Sequence, residues 1–228
     1  MRLRVATYNV RGFRDDPSAL IDVVDRTAPD LLLLQETGPR HTLRSFAAAV
    51  GMEPAADPWS PLRRRVKNAV LARPPWRVAH ARLHRFQGSA RFYPRGALIA
   101  HVGRAGRRLW AVSIHLGLAP AERNAHVREL TDLCAGLAGA PIVIGGDLNA
   151  TPDQRAPGWL ADRFWDAWSE VGDGEGPTFP ASDPTARIDY VFASAGLLLG
   201  SASVGKAPDA SDHLPVIVDL SIEDPPSG

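Results

Sequence analysis

Pro141-Ile142-Val143-Ile144-Gly145-Gly146-Asp147-Leu148-Asn149-Ala150-Thr151-Pro152 is the stretch on which the reading of this chain turns. Its apolar first half reads as a buried strand, bounded by a helix on one side and a turn on the other. Two glycines at the strand's end permit a tight turn and the close approach of another group. Asp147 and Asn149 stand two residues apart, so extended geometry would point both side chains the same way. A carboxylate and a carboxamide at the mouth of a buried strand can grip a metal-bound water and a phosphate oxygen. An Asx turn accounts for the same string with no chemistry at all, so the rest of the chain has to decide.

Working outward, residues 3–8 alternate as a strand and end at Asn9. Pro17 and Ser18 open a helix that Pro29 and Asp30 break. Leu31 to Leu34 form a short apolar run suited to a strand buried on both faces, and it delivers Gln35 and Glu36. A second helix is expected over 42–50. Strand-like runs follow at 69–72, 76–83, 96–102 and 109–115, the pattern of a meandering, largely antiparallel sheet. Residues 120–137 carry the clearest helical stripe, and 159–168 a short helical stretch. Strands return at 187–192, 197–204 and 214–222. About ten strands are too many for one comfortable open sheet, so two sheets packed face to face and covered by helices are expected, as one domain over 1–228.

Composition narrows the classes. A hydrophobic share of 45% and a charged share of 22% describe an ordinary globular chain with material for a core. No apolar run reaches the ~20 residues of a membrane span, and residues 1–5 lack a signal-peptide pattern. The single cysteine, Cys134, excludes an intrachain disulfide. A cytoplasmic monomer is the expectation. The net charge of +1 conceals segregation: residues 58–121 hold thirteen Arg or Lys and no acid. Such a segment makes a phosphate-binding surface if its side chains share one face.

Polar signals recur where apolar strand runs end: Asn9, Gln35 with Glu36, His115, Asp147 with Asn149, Asp189, and Ser211-Asp212-His213. Strand ends of a packed sheet converge on one rim, where sites form. Oxygen-rich ligands without clustered cysteine or helical His pairs suit Mg²⁺ or Mn²⁺ and not structural zinc. No Gly-x-Ser-x-Gly elbow, P-loop or Cys-x-x-Cys is present.

The strings Ala6-Thr7-Tyr8-Asn9-Val10-Arg11-Gly12, Leu32-Leu33-Leu34-Gln35-Glu36, Ser113-Ile114-His115-Leu116, Gly146-Asp147-Leu148-Asn149, Arg187-Ile188-Asp189-Tyr190 and Ser211-Asp212-His213-Leu214-Pro215 together resemble the endonuclease/exonuclease/phosphatase (DNase I-like) superfamily of metal-dependent phosphoesterases. The resemblance implies a four-layer α/β/β/α sandwich of two mostly antiparallel sheets flanked by helices. It makes Glu36 the principal metal ligand, with Asn9 and Asp212 in the metal shell. Asp147 then orients or deprotonates the attacking water, Asn149 positions phosphate or water, and His213, paired with Asp189, faces the phosphate. Whether that histidine is a base or a charge stabiliser stays open. His115 joins the catalytic set, with a satisfied core histidine as its plainer reading.

The Ser-Ile-His-Leu string resembles the branch of DNase I, sphingomyelinases and phosphatases. The favoured function is a Mg²⁺- or Mn²⁺-dependent phosphodiester hydrolase acting on DNA or RNA. Asn68 and the run Arg63, Arg64 and Arg65 are the expected substrate contacts. A phosphatase or phosphodiesterase for a small or lipid-derived ester is the alternative. A catalytically inactive binding module comes last, because no carboxylate or histidine of the pattern is missing.

Overall fold

Alternation along the strands explains the architecture of the computed structural model, which describes residues 1–57, 61, 64–137, 139–207 and 209–223. In chain order the elements are β1 (Arg2–Asn9), α1 (Pro17–Thr27), β2 (Leu31–Gln35), α2 (Arg40–Ala49), β3 (Glu53–Ala56), β4 (Ala69–Ala72), β5 (Arg77–Arg85), β6 (Gly96–Arg104), β7 (Arg107–His115), α3 (Pro120–Ala135), β8 (Ile142–Asp147), α4 (Arg155–Ala161), β9 (Trp165–Asp166), α5 (Ala167–Val171), β10 (Asp189–Ala193), β11 (Leu197–Val204) and β12 (Val216–Ile222). They form two six-stranded sheets, ordered β11-β12-β1-β2-β4-β3 and β5-β6-β7-β8-β10-β9. Only β1 with β2 and β7 with β8 run parallel; the other pairs are antiparallel.

The four leucines of β2 are all buried because both faces of the strand are covered. Leu31 and Leu33 join the core between the sheets, with Val5, Leu98, Ala111, Val143 and Val191. Leu32 and Leu34 face outward to meet Leu20 and Val24 of α1 and Leu43 and Phe46 of α2. On the second sheet, Ile99, Val112 and Ile144 face outward and pack beneath Val127 and Leu130 of α3 and Leu160 of α4. Each such side chain stabilises the fold by about 1.5–3 kcal/mol relative to exposure. The result is the expected sandwich of helices, sheet, sheet and helices.

Local signals set the boundaries. Asp16 caps α1, its carboxylate accepting from Ser18 N at 2.8 Å with Pro17 in the first turn, and Ala28 ends it at φ 45. The helical stretch expected near 159–168 is divided, because Asp166 lies on β9 and caps α5 by accepting from Trp168 N. β3, unmarked by hydrophobic alternation, occupies a sheet edge, where Pro54 is tolerated.

Candidate active site

Register brings the polar strand ends together. His115 pairs with Asp147 across β7 and β8, and Asp147 pairs with Asp189 across β8 and β10. A period of two puts these three side chains on the face that Ala111, Val143 and Val191 give to the inter-sheet core. On the other sheet Asn9 pairs with Gln35 in the same way. The site is therefore the polar end of the core between the sheets. Gly145 and Gly146 allow this closeness. A Cβ on Gly145 would lie 2.6 Å from Leu33 Cδ1, and one on Gly146 would lie 2.0 Å from the Ile114 carbonyl oxygen.

Asp147 is 1% exposed, and a buried carboxylate is tolerable only when donors surround it. Its Oδ2 accepts from Asn9 Nδ2 at 3.0 Å and lies 3.2 Å from His115 Nε2 and 3.8 Å from His213 Nε2. Its Oδ1 accepts from Asn149 N at 2.8 Å. Burial alone would raise this carboxyl, but His115, His213 and the Asn149 amide hold it below the usual carboxylate range. It is ionised throughout the neutral range, a strong acceptor and a weak base.

His213 stands between two carboxylates, its Nδ1 2.9 Å from Asp189 Oδ2. Burial opposes its charge, yet Asp189, Asp147 and Asp212 outweigh burial and push the imidazole up to about 10. Burial also raises the Asp189 carboxyl against the pull of His213, so the pair holds its proton tightly between Nδ1 and Oδ2. Thr178 Oγ1 donates to the same Oδ2 at 2.7 Å, and the Phe179 ring lies 4.9 Å from the imidazole. His213 is consequently an imidazolium at neutral pH, with Nε2–H free to face a substrate oxygen.

A second set of groups borders this cluster. Glu36 follows β2 at φ 54, a left-handed conformation that a glutamate rarely adopts. Its carbonyl accepts from Gly12 N and Gly38 N, both at 2.7 Å, which fixes the turn. Its carboxylate is half-exposed, and Arg95 Nη1 approaches Oε1 at 3.9 Å. The same Nη1 lies 2.6 Å from both ring nitrogens of His115, Nδ1 and Nε2. Lys67 Nζ sits 4.6 Å from the Tyr93 ring centre. Burial lowers the Lys67 ammonium, and Arg14, Arg65 and Arg95 add to the effect against Glu36.

Asn9, His115, Asp147, Asp189 and His213 thus share one buried cluster. Asn149 stands beside it, although not as extended geometry suggested. Its φ of 50 ends the strand, so Asp147 and Asn149 form an Asx turn and their side chains diverge. Asn149 Nδ2 donates to the Leu116 carbonyl at 3.1 Å. Glu36 and Asp212 line separate cavities, and Asp212 Oδ2 lies 3.2 Å from Arg11 Nε. Asn68 is buried and ties the sheets together through the Gly96 and Ser113 carbonyls at 3.0 and 2.8 Å. Of the arginine run, Arg63 lies outside the described residues and Arg64 is exposed. Arg65 corrects the expectation of a rim contact: it is 1% exposed and donates to the Gly38 carbonyl, bracing the loop after Glu36. Sequence reasoning passed over Arg14, Tyr93, Arg95 and Thr178.

The donor set fits a hard divalent ion in two ways. Asp147, Asp189 and His213 bring ligand atoms within 4.8 Å of one another, and Asp189 Oδ1 is buried without a hydrogen-bond partner. Within that trio, His213 Nδ1 is already engaged by Asp189 Oδ2 at 2.9 Å. Glu36 offers a solvent-reachable carboxylate whose nearest ion-pair contact among the described residues is Arg95, at 3.9 Å.

The geometry has relatives. The chain superposes on an endonuclease/exonuclease/phosphatase from Bacteroides vulgatus with a TM-score of 0.83 at 18% identity, covering 98% of this chain and 100% of the other. A mannosyl-6-phosphatase from Bacteroides thetaiotaomicron gives 0.77 at 18%, covering 96% and 100%. D. rerio TDP2, complexed with a single-strand DNA product, gives 0.79 at 17%, covering 96% and 99%. A search of curated proteins finds no match. The model of the Endonuclease/Exonuclease/phosphatase family matches residues 6–213. The chain belongs to that family of metal-using phosphoesterase hydrolases.

Proposed function

We propose that this protein is a Mg²⁺- or Mn²⁺-dependent phosphodiester hydrolase acting on nucleic acid, working as a cytoplasmic monomer with residues 1–228 as one domain. The observation that carries the hydrolase reading is the His213 imidazole held between Asp189 and Asp147. Attack on a phosphodiester builds charge on the non-bridging and leaving oxygens, and a preorganised cation in a dry site offsets it. His213 Nε2–H donates to such an oxygen, while Asp189 fixes the ring and its charge. Asp147 accepts a hydrogen of the attacking water and aligns its lone pair on phosphorus. Asn9, donating to Asp147 and accepting from Arg11 N at 3.1 Å, keeps that carboxylate in place. A divalent ion held by Glu36, with Asn9 and Asp212 in the metal shell, would supply Lewis-acid neutralisation of the phosphate.

Exposed aromatic side chains beside cations support a polynucleotide. Phe92 and Tyr93 are 52% and 53% exposed, with Arg91 over Phe92 and Lys67 over Tyr93. Bases stack on such rings for about 1–3 kcal/mol each. The second reading, a phosphatase for a compact ester, draws on the small size of the cavity beside Glu36, about 170 Å³.

A panel of plasmid DNA, single-stranded DNA, RNA, bis(4-nitrophenyl) phosphate, 4-nitrophenyl phosphate and a phosphoinositide, each with Mg²⁺, Mn²⁺ or EDTA, tests the proposal. Metal-dependent cleavage of a polynucleotide, lost in His213→Ala, is expected. Efficient turnover of small esters with every polynucleotide left intact would transfer the assignment to the second reading.

A further inference from the structure

The cavity beside Glu36 contains more positive charge than hydrolysis of one phosphate calls for. Arg14, Lys67 and Arg95 line it with Glu36, Asn68 and Tyr93. Arg14 and Lys67 make no ion pair among the described residues, and the contact of Arg95 with Glu36 is long. Three cations thus face one carboxylate, the carboxylate assigned above to a divalent ion.

The cavity also abuts the reaction. His115 forms part of its wall and lies 3.2 Å from Asp147. Two non-glycine residues at positive φ, Glu36 at 54° and Tyr93 at 55°, frame it. Strain of this kind persists where the surroundings over-determine a functional geometry. Tyr93 holds Lys67 over the opening by a cation–π contact. The ammonium is therefore parked at the cavity without being neutralised.

We propose that Arg14, Lys67 and Arg95 form a subsite for a second phosphate group, joined through one sugar to the phosphate that is cleaved. The inference rests on the hydrolase reading and narrows its substrate class to molecules with two neighbouring phosphates. Lys67 and Arg14 contact the second group directly. Arg95, which also touches His115, links occupancy of the subsite to the orientation of that histidine. Two sources share this chemistry: the next phosphate of a nucleic-acid strand, and a small bisphosphorylated metabolite.

Paired chromogenic probes test the subsite. Thymidine 5′-(4-nitrophenyl phosphate) is compared with its 3′-phosphorylated form, and thymidine 3′-(4-nitrophenyl phosphate) with its 5′-phosphorylated form. In one polarity the added phosphate should raise kcat/KM by about tenfold or more, mainly through KM, as expected for charge-assisted hydrogen bonds. Lys67→Met and Arg14→Gln should each reduce that ratio several-fold, Lys67→Arg should restore most of it, and Arg104→Ser at the far hairpin should not alter it. A ratio near one in both polarities, with turnover intact, overturns the subsite and leaves the hydrolase reading standing. If no probe is turned over, the hydrolase reading fails on these esters, and calorimetry still decides the subsite. Thymidine 3′,5′-bisphosphate should bind more tightly than thymidine 5′-monophosphate to wild-type protein with Mg²⁺, and by a margin several-fold smaller to Lys67→Met. Equal binding to wild-type protein overturns the subsite. Competition by oligothymidylate but not by a hexose bisphosphate assigns the strand as the source; the reverse assigns the metabolite.

Discussion

The two halves of the site differ in how completely they are satisfied. Around His213 the charges are paired, with only Asp189 Oδ1 lacking a hydrogen-bond partner among the described residues: Asp147 and Asp189 are each 1% exposed, and their hydrogen bonds lock the imidazole. Around Glu36 the charges range from partly buried to exposed, and Arg14 and Lys67 have no acidic partner among the described residues. A closed network acts on whatever phosphate reaches it, because its geometry is set before substrate arrives. An open cluster of cations is set by its ligand. The contrast teaches that chemistry and selectivity are carried by opposite sides of one rim.

The largest effect should come from opening the closed half. His213→Ala should lower kcat by about 10²–10⁴-fold, and Asp189→Ala by a comparable factor. The double variant should cost little more than the worse single one, since the two act as a unit. Steady-state kinetics on one responsive ester check this; multiplicative losses would mean that the halves of the pair work independently.

Glu36→Gln comes next. It keeps the side chain's shape and removes the charge that a hard ion needs. Activity should fall sharply and require much higher Mg²⁺, and EDTA should abolish activity of the wild-type enzyme. Hydrolysis by the variant in excess EDTA at the wild-type rate would break the assignment of Glu36 to the metal.

Titration separates two members of the closed half by sign. The folded-state value of His213 is raised to about 10, above an ordinary histidine value of about 6.5. Its contribution to stability is therefore full below about pH 6.5 and lost as pH rises through about 10. Asp147 is depressed, so its contribution is present above the ordinary aspartate range and lost as pH falls below it. Thermal melts in EDTA should show both limbs. Asp189→Asn should move the alkaline limb, and the alkaline fall of kcat/KM, toward neutral pH. An unmoved limb would show that Asp189 does not charge the imidazole.

Legibility followed the same division. Strand-end polar residues announced the closed half, because alternation leaves a polar side chain on a buried face only for a reason. Leu31 to Leu34 likewise revealed a strand covered on both sides. The open half depends on pairings that the local pattern does not state. Arg95 precedes β6 in a string, Tyr-Pro-Arg-Gly, with no chemical signature. Its place follows from the hairpin, where Ala105 and Gly106 at φ 49 and 78 make a two-residue turn. That turn pairs Arg104 with Arg107, and counting back sets Gly96 opposite His115. The turn signal was visible; the count from it to Arg95 required the register. Lys67 reaches the site through a bond from Thr37 N to its carbonyl at 2.9 Å, a contact between segments distant in sequence.

The arginine run provides the smallest and sharpest test, because adjacent residues should fail differently. Arg65 is buried with its guanidinium on the Gly38 carbonyl, and its Nε lacks a partner. Arg65→Ser should therefore destabilise the loop after Glu36 by about 1–3 kcal/mol, lowering Tm by several degrees. Its effect on nucleic-acid binding should follow that loss of order and not a change in salt dependence. Arg64 is exposed, so Arg64→Ser should change stability by less than about 0.5 kcal/mol. If Arg64 contacts a strand, the slope of log K against log salt should flatten by about 0.7–0.9. Titrations of a long single strand at several salt concentrations, paired with melts, distinguish the two. A flattened slope in Arg65→Ser with unchanged Tm would place that guanidinium in solution contact with phosphate and remove its bracing role. An unchanged slope in Arg64→Ser would confine nucleic-acid contact to the cavity beside Glu36 and the aromatic pair at Phe92 and Tyr93.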